Sequence, residues 1–257
     1  MKNKLLLTIL ILIILLGSAY YFFIYTPRTS VPKPTYIFNP APSSSGYTYI
    51  NENKVTGMKI YLGKTDSPRI PSLRLEAKEG SLDLSMSNVG ENEFKKVKPE
   101  TKDLITWSNA LPSLDIQYNL QDDGLRSEII LKDNTLSQKA VKEHTLFTIP
   151  FYLTVANVVP RSDMEGNLTP LFMDSKSGEY RFHMEKPVLR DSKGAISEAS
   201  WSLKALTDQP TSDQPTTQYL LTLELPRAWL YEKDRSYPVT MVSNIIRNTD
   251  SAFGSRQ

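Results

Sequence analysis

Alternation of hydrophobic and polar residues is the dominant pattern along most of the chain. In Ser81–Ser87 and Leu114–Leu120 every second side chain is apolar, and Glu179–Glu185 and Gln218–Leu225 repeat the pattern. A period of two places successive side chains on opposite faces of a strand, so each segment is expected to bury one face. The apolar positions are Leu82, Leu84, Met86, Leu114, Ile116, Tyr118, Leu120, Tyr180, Phe182, Met184, Tyr219, Leu221, Leu223 and Leu225.

Polar clusters that contain a glycine separate these segments, at Gln121–Gly124, Glu165–Asn167, Asp174–Gly178 and Asp191–Gly194. Glycine readily adopts the positive φ that tight hairpins require. Because no long helical pattern intervenes, the sequence predicts an all-β fold, an antiparallel β-sandwich over residues 47–245.

Two organisations of this region are open. Gln138–Glu143 lacks strand alternation, so a boundary there would give two consecutive sandwiches at 47–142 and 143–245, and otherwise the region is one large sandwich. A short helical turn is expected at Pro226–Lys233, because proline is tolerated at the first helical position.

The N-terminal region contains a candidate membrane anchor, Leu5–Tyr25, which has 21 residues and no charge. At a rise of about 1.5 Å per residue, such a helix spans roughly 30 Å, the thickness of the bilayer hydrocarbon core. Lys2 and Lys4 precede it, so residues 1–4 are expected in the cytoplasm and the bulk of the chain outside. The alternative is a signal peptide cleaved after Ala19, which would export the same residues.

Residues 26–46 hold five prolines and the run Ser43-Ser44-Ser45-Gly46. Proline favours extended backbone, so this range is expected to form a semi-rigid stalk. Residues 246–257 are interpreted as a tail. The chain is predicted to be a single-pass cell-membrane protein, with most of its residues on the extracytoplasmic side.

Charge and cysteine content exclude several classes of protein. Four of the 30 basic residues and none of the 28 acidic residues precede residue 34, so the remainder carries a net charge of −2. This remainder has no basic footprint for nucleic acid. The absence of cysteine excludes a disulfide scaffold, a thiolate metal site and an acyl-anchored lipoprotein.

The inventory for catalysis is small, and no catalytic residue and no cofactor are predicted. The two histidines, His144 and His183, lie in no recognisable catalytic context, and no G-x-S-x-G elbow occurs. The chain is therefore expected not to be an enzyme. One candidate metal site remains: Asp163, Glu165 and Asn167 alternate around Gly166 and could supply oxygen ligands to calcium. The alternative is a plain hairpin turn.

Trp107, Trp201 and Trp229 are candidate glycan-binding residues, because aromatic rings can stack on the apolar side of pyranose sugars. The alternative is that they belong to the core, where large aromatic side chains dominate the packing of sandwiches.

Several segments, taken in order, resemble a β-rich module of large bacterial surface proteins. In those proteins the module precedes YD-repeat (Rhs-type, wall-associated) regions or concanavalin/laminin-G-like domains. The matching segments are Met58–Gly63, Ser81–Asn88, Trp107–Asp133, Phe147–Pro150, Leu171–Pro187, Asp191–Gly194 and Tyr219–Thr240. The chain departs from the pattern where Met241-Val242-Ser243 replaces the usual Asp-Pro, and it stops at Gln257, so the roles of the downstream domains are not carried over. The resemblance implies an extracytoplasmic structural or adhesive module and supplies no catalytic residues.

The sequence thus favours a structural, protein-interaction or adhesion module of the bacterial cell envelope. Its expected partners are the membrane and envelope proteins or glycans, with no nucleic acid. A glycan-binding surface domain is the alternative, and an envelope hydrolase ranks third, because such an enzyme needs a nucleophile–base pair or two carboxylates that converge in a cleft.

Overall fold

A computed structural model describes residues 37–53, 57–65, 71–78, 80–86, 103–121, 124–135, 147–206 and 216–248. All of these residues belong to one compact unit of the chain. Almost all of the regular structure in them is antiparallel β-strand, so the predicted all-β class is confirmed.

The described residues form seventeen strands, one 3-10 turn (Ser43–Ser45) and one short helix, α1 (Arg227–Leu230). The strands are β1 (Asn39–Pro40), β2 (Tyr47–Asn53), β3 (Met58–Lys64), β4 (Ser72–Ala77), β5 (Gly80–Met86), β6 (Leu104–Leu111), β7 (Leu114–Leu120), β8 (Gly124–Leu131), β9 (Thr148–Ala156), β10 (Val158–Ser162), β11 (Leu168–Asp174), β12 (Tyr180–Met184), β13 (Val188–Arg190), β14 (Ile196–Glu198), β15 (Ser200–Ala205), β16 (Thr216–Glu224) and β17 (Val239–Arg247). Helix α1 lies within the range predicted for a helical turn.

Strand pairing divides the strands into two sets. In the first set the neighbours run β1-β2-β3-β4-β5-β9-β16-β15. In the second set they run β6-β7-β8-β17-β12, and the β13–β14 hairpin also pairs with β17. The β10–β11 hairpin joins the sets, because β11 pairs with β12 and, through Leu168 and Leu203, with β15. Hydrogen bonding is therefore continuous through all of the described strands.

Pairing also crosses the position at which the sequence allowed a domain boundary. Strand β9 lies between β5 and β16, and β17 lies between β8 and β12. Strands from before and after residue 143 are therefore neighbours in both sets. The segment 138–143 itself lies outside the described residues.

The predicted buried faces agree with the structure at nearly every position. Leu82, Leu84 and Met86 are buried in β5, and the four apolar side chains of β7 are at most 5% exposed. In β12, Phe182 and Met184 are buried while Tyr180 is only partly buried. In β16, Leu221 and Leu223 are 0% exposed. Alternation is a reliable signal here because one face of each strand packs on the core and the other meets water.

The polar clusters predicted as turns connect strands wherever they are described. The turn Asp174–Gly178 joins β11 to β12, and Asp191–Gly194 joins β13 to β14. Gly178 and Gly194 have φ values of +69° and +89°, a backbone conformation that residues with a side chain rarely adopt. Asp174 and Asp191 cap these turns with their carboxylates.

The folded unit begins before the predicted boundary at Tyr47. Phe38 is 6% exposed and belongs to the core, and β1 pairs with β2 through Asn39 and Pro40. The Asn51 side-chain amide donates to the Ile37 carbonyl over 2.9 Å. Asn39 and Pro40, which the sequence assigns to the stalk, are therefore part of the sheet, and Phe38 is part of the core.

Several predictions fall outside the described residues. These are the head at 1–4, the anchor Leu5–Tyr25, the stalk up to residue 36, His144, and residues 249–257 of the predicted tail at 246–257. The first two tail residues, Ile246 and Arg247, belong to β17. Within the described residues, no helix is long and apolar enough to cross a membrane.

Candidate functional site

An open cleft of about 400 Å³ lies at the ends of β9 and β16, beside β14 and β15. It is lined by Phe147, Thr148, Lys186, Glu198, Ala199, Ser200, Glu224, Leu225 and Pro226. The volume falls within the range of about 300–1,000 Å³ that is typical of ligand pockets.

Strand register places three polar side chains of the cleft in one row. Glu224 of β16 is paired with Thr148 of β9 on one side and with Ser200 of β15 on the other. The neighbouring residues Ile149 and Leu223 are buried, so the row occupies the opposite face of the sheet. The Ser200 hydroxyl donates to Oε2 of Glu224 over 3.4 Å.

Apolar residues of the strand ends also line the cleft. Phe147, Ala199 and Leu225 are each less than 9% exposed, and they alternate with the polar row, so their side chains belong to the core face. The Leu225 N–H donates to the Phe147 carbonyl, and the Ala199 N–H donates to the Pro187 carbonyl, both over 3.0 Å. These bonds hold the strand ends together.

The rim of the cleft carries both signs of charge. Lys186 pairs with Glu198, and the two side chains are 62% and 64% exposed. Glu224 forms no ion pair with another residue that the structure describes. The Glu224 carboxylate and the hydroxyls of Ser200 and Thr148 can accept and donate hydrogen bonds, so the row suits a hydroxyl-rich ligand.

The calcium candidates lie at the tip of the β10–β11 hairpin. Oδ1 of Asp163 accepts the Asn167 N–H over 2.8 Å, and Oδ2 accepts the Asn167 side-chain amide over 3.2 Å. Burial of the Asp163 carboxyl acts to raise its pKa, but the hydrogen bonds from Asn167 and Glu165 outweigh it and lower the pKa. The carboxylate therefore closes the turn. Among the described residues, no group of three or more acidic, histidine or cysteine side chains is placed to hold a metal ion.

The three tryptophans have different surroundings. Trp107 of β6 is 2% exposed and packs edge-on against Tyr118 at 5.5 Å between ring centroids, so no face of its ring is open to a sugar. Trp201 of β15 is partly buried, and its indole N–H donates to the Glu185 carbonyl over 3.2 Å. Trp229 of α1 is also partly buried and one face of its ring is covered by Arg235.

Trp229, Arg235 and Asp191 form a compact cluster beside α1. The Arg235 guanidinium lies 3.4 Å from the centroid of the Trp229 ring, and its Nε donates to the Trp229 carbonyl over 2.9 Å. Its Nη1 donates to Oδ2 of Asp191 over 2.9 Å, and the Arg235 and Asp191 side chains are only 5% and 3% exposed. Nη2 of Arg235 also pairs with the exposed Glu232. Through Arg235 and Asp191 the cluster fixes the turn after α1 onto the β13–β14 hairpin.

Sequence reasoning did not identify the residues of the cleft. Glu224 belongs to a segment that the alternation pattern marks only as strand, whereas Glu198 and Ser200 lie in no alternating segment. Nothing in the spacing of the three residues shows that they converge. The signal is the register between β15 and β16, which becomes visible only once the pairing is known.

Comparison of the chain with protein-family models, with curated protein sequences and with solved structures finds no match. The resemblance to a β-rich module of bacterial surface proteins therefore stays a prediction.

Proposed function

We propose that the chain is a membrane-anchored, extracytoplasmic β-sandwich that acts as a structural or protein-interaction and adhesion module of the bacterial cell envelope. The observation that carries this proposal is the order of the segments. An uncharged segment, Leu5–Tyr25, precedes a proline-rich stretch, and an all-β unit begins at residue 37. This order is typical of a domain that is held at a distance from a membrane.

Contacts between the two strand sets support the sandwich. A Cβ placed on Gly63 of β3 would lie 3.9 Å from the Trp107 ring of β6. The Trp201 indole nitrogen of β15 lies 3.4 Å from the Ser243 hydroxyl oxygen of β17. Strands of the first set thus approach strands of the second set at Trp107 and at Trp201, as expected for two sheets packed face to face.

An exposed apolar pair on the β13–β14 hairpin supports the interaction role. Val188 is 40% exposed and Ile196 is 56% exposed, and the pairing of Arg190 with Ile196 and of Val188 with Glu198 places both on one face. Val188 is also paired with Val242 of β17. Contiguous apolar side chains on a surface are a typical feature of protein-contact sites.

Site-specific labelling tests the proposed topology. The chain has no cysteine, so Ser202→Cys, at an exposed position of β15, and Asn3→Cys, in the predicted cytoplasmic head, each create a single thiol. A membrane-impermeant maleimide should label residue 202 on intact cells and residue 3 only after lysis. Labelling of residue 202 only after lysis would contradict the proposal.

The cleft favours a second candidate function, glycan binding. Its row of Thr148, Glu224 and Ser200 suits a sugar, whose hydroxyl groups would bond to the row. A glycan array probed with the detergent-solubilised full chain tests this function. Binding should be lost in Glu224→Gln and retained in Glu52→Gln, which changes an exposed glutamate of β2. A wild-type chain that binds no glycan above background would rule this candidate out.

A further inference from the structure

A second concavity, of about 440 Å³, lies where three connections of the fold meet. Lys78 follows β4, Asn157 separates β9 from β10, and Ser175 and Lys176 lie in the turn between β11 and β12. Asp174 and Arg181, at the adjoining ends of β11 and β12, complete the lining.

Backbone contacts hold these three connections together. A Cβ on Gly80 would lie only 2.5 Å from the Ala156 carbonyl oxygen and 2.9 Å from a methyl carbon of Val158, so the β4–β5 turn approaches the β9–β10 junction as closely as a glycine allows. The Ser175 N–H donates to the Asn157 carbonyl over 3.0 Å, which ties the β11–β12 turn to the same junction. The fold itself thus brings the three connections together at the concavity.

The charges at the concavity are predominantly positive. Three of its lining residues, Lys78, Lys176 and Arg181, are basic and only Asp174 is acidic. Arg181 already contacts two carboxylates, Asp174 at 3.7 Å and Glu179. Lys78 and Lys176 are exposed, and neither forms an ion pair with another residue that the structure describes.

Asp174 has a structural role in the turn between β11 and β12. Its Oδ1 accepts the backbone N–H groups of Lys176 and Ser177 over 2.9 Å and 2.8 Å, and its Oδ2 faces Arg181. These backbone hydrogen bonds also lower the pKa of the Asp174 carboxyl. The carboxylate therefore closes the turn and positions Lys176, and it leaves both lysine ammonium groups available to a ligand.

We propose that this concavity binds a phosphate group. Two lysine ammonium groups from different connections can each donate to a separate phosphate oxygen, and the exposed Asn157 amide can donate to a third. The charge of Arg181 is offset by Asp174 and Glu179, so the two lysines supply the positive charge of the site. The phosphate group can come from a soluble phosphate compound or from a lipid headgroup, and both sources present the same oxygens.

Calorimetric titration of the full chain in a phosphate-free maltoside detergent tests the proposal. Inorganic pyrophosphate is the soluble probe, and dihexanoylphosphatidylglycerol below its critical micelle concentration is the lipid probe. The Lys78→Gln/Lys176→Gln double variant should weaken binding of whichever probe binds by roughly ten-fold or more, the factor expected when a charge-assisted hydrogen bond is lost. Binding of one probe alone would identify the source of the phosphate.

The chain offers a matched control at Lys193. The turn at 191–193 repeats the Asp-Ser-Lys sequence of the turn at 174–176. The hydrogen bond is also equivalent: Oδ1 of Asp191 accepts the Lys193 N–H over 3.0 Å, and Oδ1 of Asp174 accepts the Lys176 N–H. Lys193→Gln should leave binding unchanged, because Lys193 does not line the concavity. Lys78→Arg/Lys176→Arg retains both charges and should retain binding, with melting temperatures confirming that each variant is folded. The proposal would be overturned if neither probe bound, if the glutamine double variant bound like the wild type, or if the folded arginine double variant lost binding.

Discussion

At the scale of single residues, Arg235 organises the connection between β16 and β17. Its guanidinium simultaneously covers the Trp229 ring, donates to the Trp229 carbonyl and pairs with Asp191. Taking a charge out of water is costly unless its partners are well placed, and removing one partner leaves the other charge buried without compensation. The cluster therefore makes the position of the β13–β14 hairpin depend on the charge state of Asp191.

Acid should weaken this cluster in a way that Asp191→Asn reveals. Burial of the Asp191 carboxyl acts to raise its pKa, but hydrogen bonds from the Ala195 N–H and from Arg235 outweigh it, so the pKa lies below its ordinary value of 3.8. A carboxyl with a lowered folded-state pKa stabilises the fold above its unfolded-state pKa, and this contribution is lost as the pH falls through the folded-state pKa.

Asp191→Asn should therefore lower the melting temperature at neutral pH and reduce the loss of stability between about pH 4 and pH 2. The exposed Asp234, in the same connection, provides the control, and Asp234→Asn should change neither quantity appreciably. The measurement is the melting temperature of the wild type and of Asp191→Asn at several pH values in this range. If the two differed by the same amount at every pH, the role of the carboxylate would be contradicted.

A second prediction at residue scale concerns the facing of β16. Leu223 is 0% exposed, whereas its neighbour Thr222 lies on the opposite face and is partly exposed. Leu223→Ala should cost about 2–5 kcal/mol of unfolding free energy, because it removes buried methyl groups and leaves a cavity. Thr222→Ala should cost about 0.5 kcal/mol or less. Equal urea midpoints for the two variants would contradict the assigned facing.

At the scale of elements, the short strand β1 links the proline-rich stretch to the sheet. Only Asn39 and Pro40 pair with β2, but Phe38 is buried beside them and the Ile37 carbonyl accepts a hydrogen bond from Asn51. The apolar contact of Phe38 must supply most of the attachment, since two paired residues contribute little on their own.

Phe38→Ala should therefore destabilise the fold by about 3 kcal/mol. Ser44→Ala, at an exposed position of the turn that follows β1, is the control and should change stability by about 0.5 kcal/mol or less. Urea unfolding of the two variants measures the difference. If Phe38→Ala unfolded at the same urea concentration as Ser44→Ala, residues 37–46 would belong functionally to the stalk.

The existence and facing of the elements could be predicted from the sequence, whereas their partners could not. Alternation in β5, β7 and β16 reports burial of one face, which is a local property of each strand. The pairing of β9 with both β5 and β16 depends on contacts between residues far apart in the chain, and no local pattern encodes it. Proline and serine are frequent in residues 37–46, so the sequence predicts a stalk there, although Phe38 packs into the core.

The cleft and the phosphate-binding concavity could not be predicted from the sequence either, because each depends on contacts between residues far apart in the chain. Lys78 and Lys176 are nearly a hundred residues apart, and each alone reads as an ordinary lysine in a turn. Their convergence depends on Gly80 and Asn157, which bring two turns together through backbone contacts. The calcium candidates show the reverse case. The spacing of Asp163, Glu165 and Asn167 is visible in the sequence, but the structure places these residues in a hydrogen-bonded turn.

At the scale of the whole folded unit, the strands of the N-terminal and C-terminal parts are interleaved. Strand β9 completes the first set between β5 and β16, and β17 occupies the centre of the second set beside β8. Each part therefore lacks pairing partners for some of its strands: β5 and β8, within 37–142, pair with β9 and β17, within 147–248. Separation of the two parts would expose the apolar faces of β5 and β8 along with unpaired strand edges.

The folded unit should consequently unfold in one cooperative step. Trp107 lies in the second strand set and Trp201 in the first, so tryptophan fluorescence reports on both, while far-ultraviolet circular dichroism reports on all of the strands. The two signals should follow a single urea transition with coincident midpoints, as expected for a two-state process. Fragments 37–142 and 147–248 expressed separately should each lack a cooperative transition, since each lacks pairing partners for a central strand. Two resolved transitions in the intact chain, or a fragment that melts cooperatively by itself, would instead show that the two parts fold as separate sandwiches despite the pairing between them.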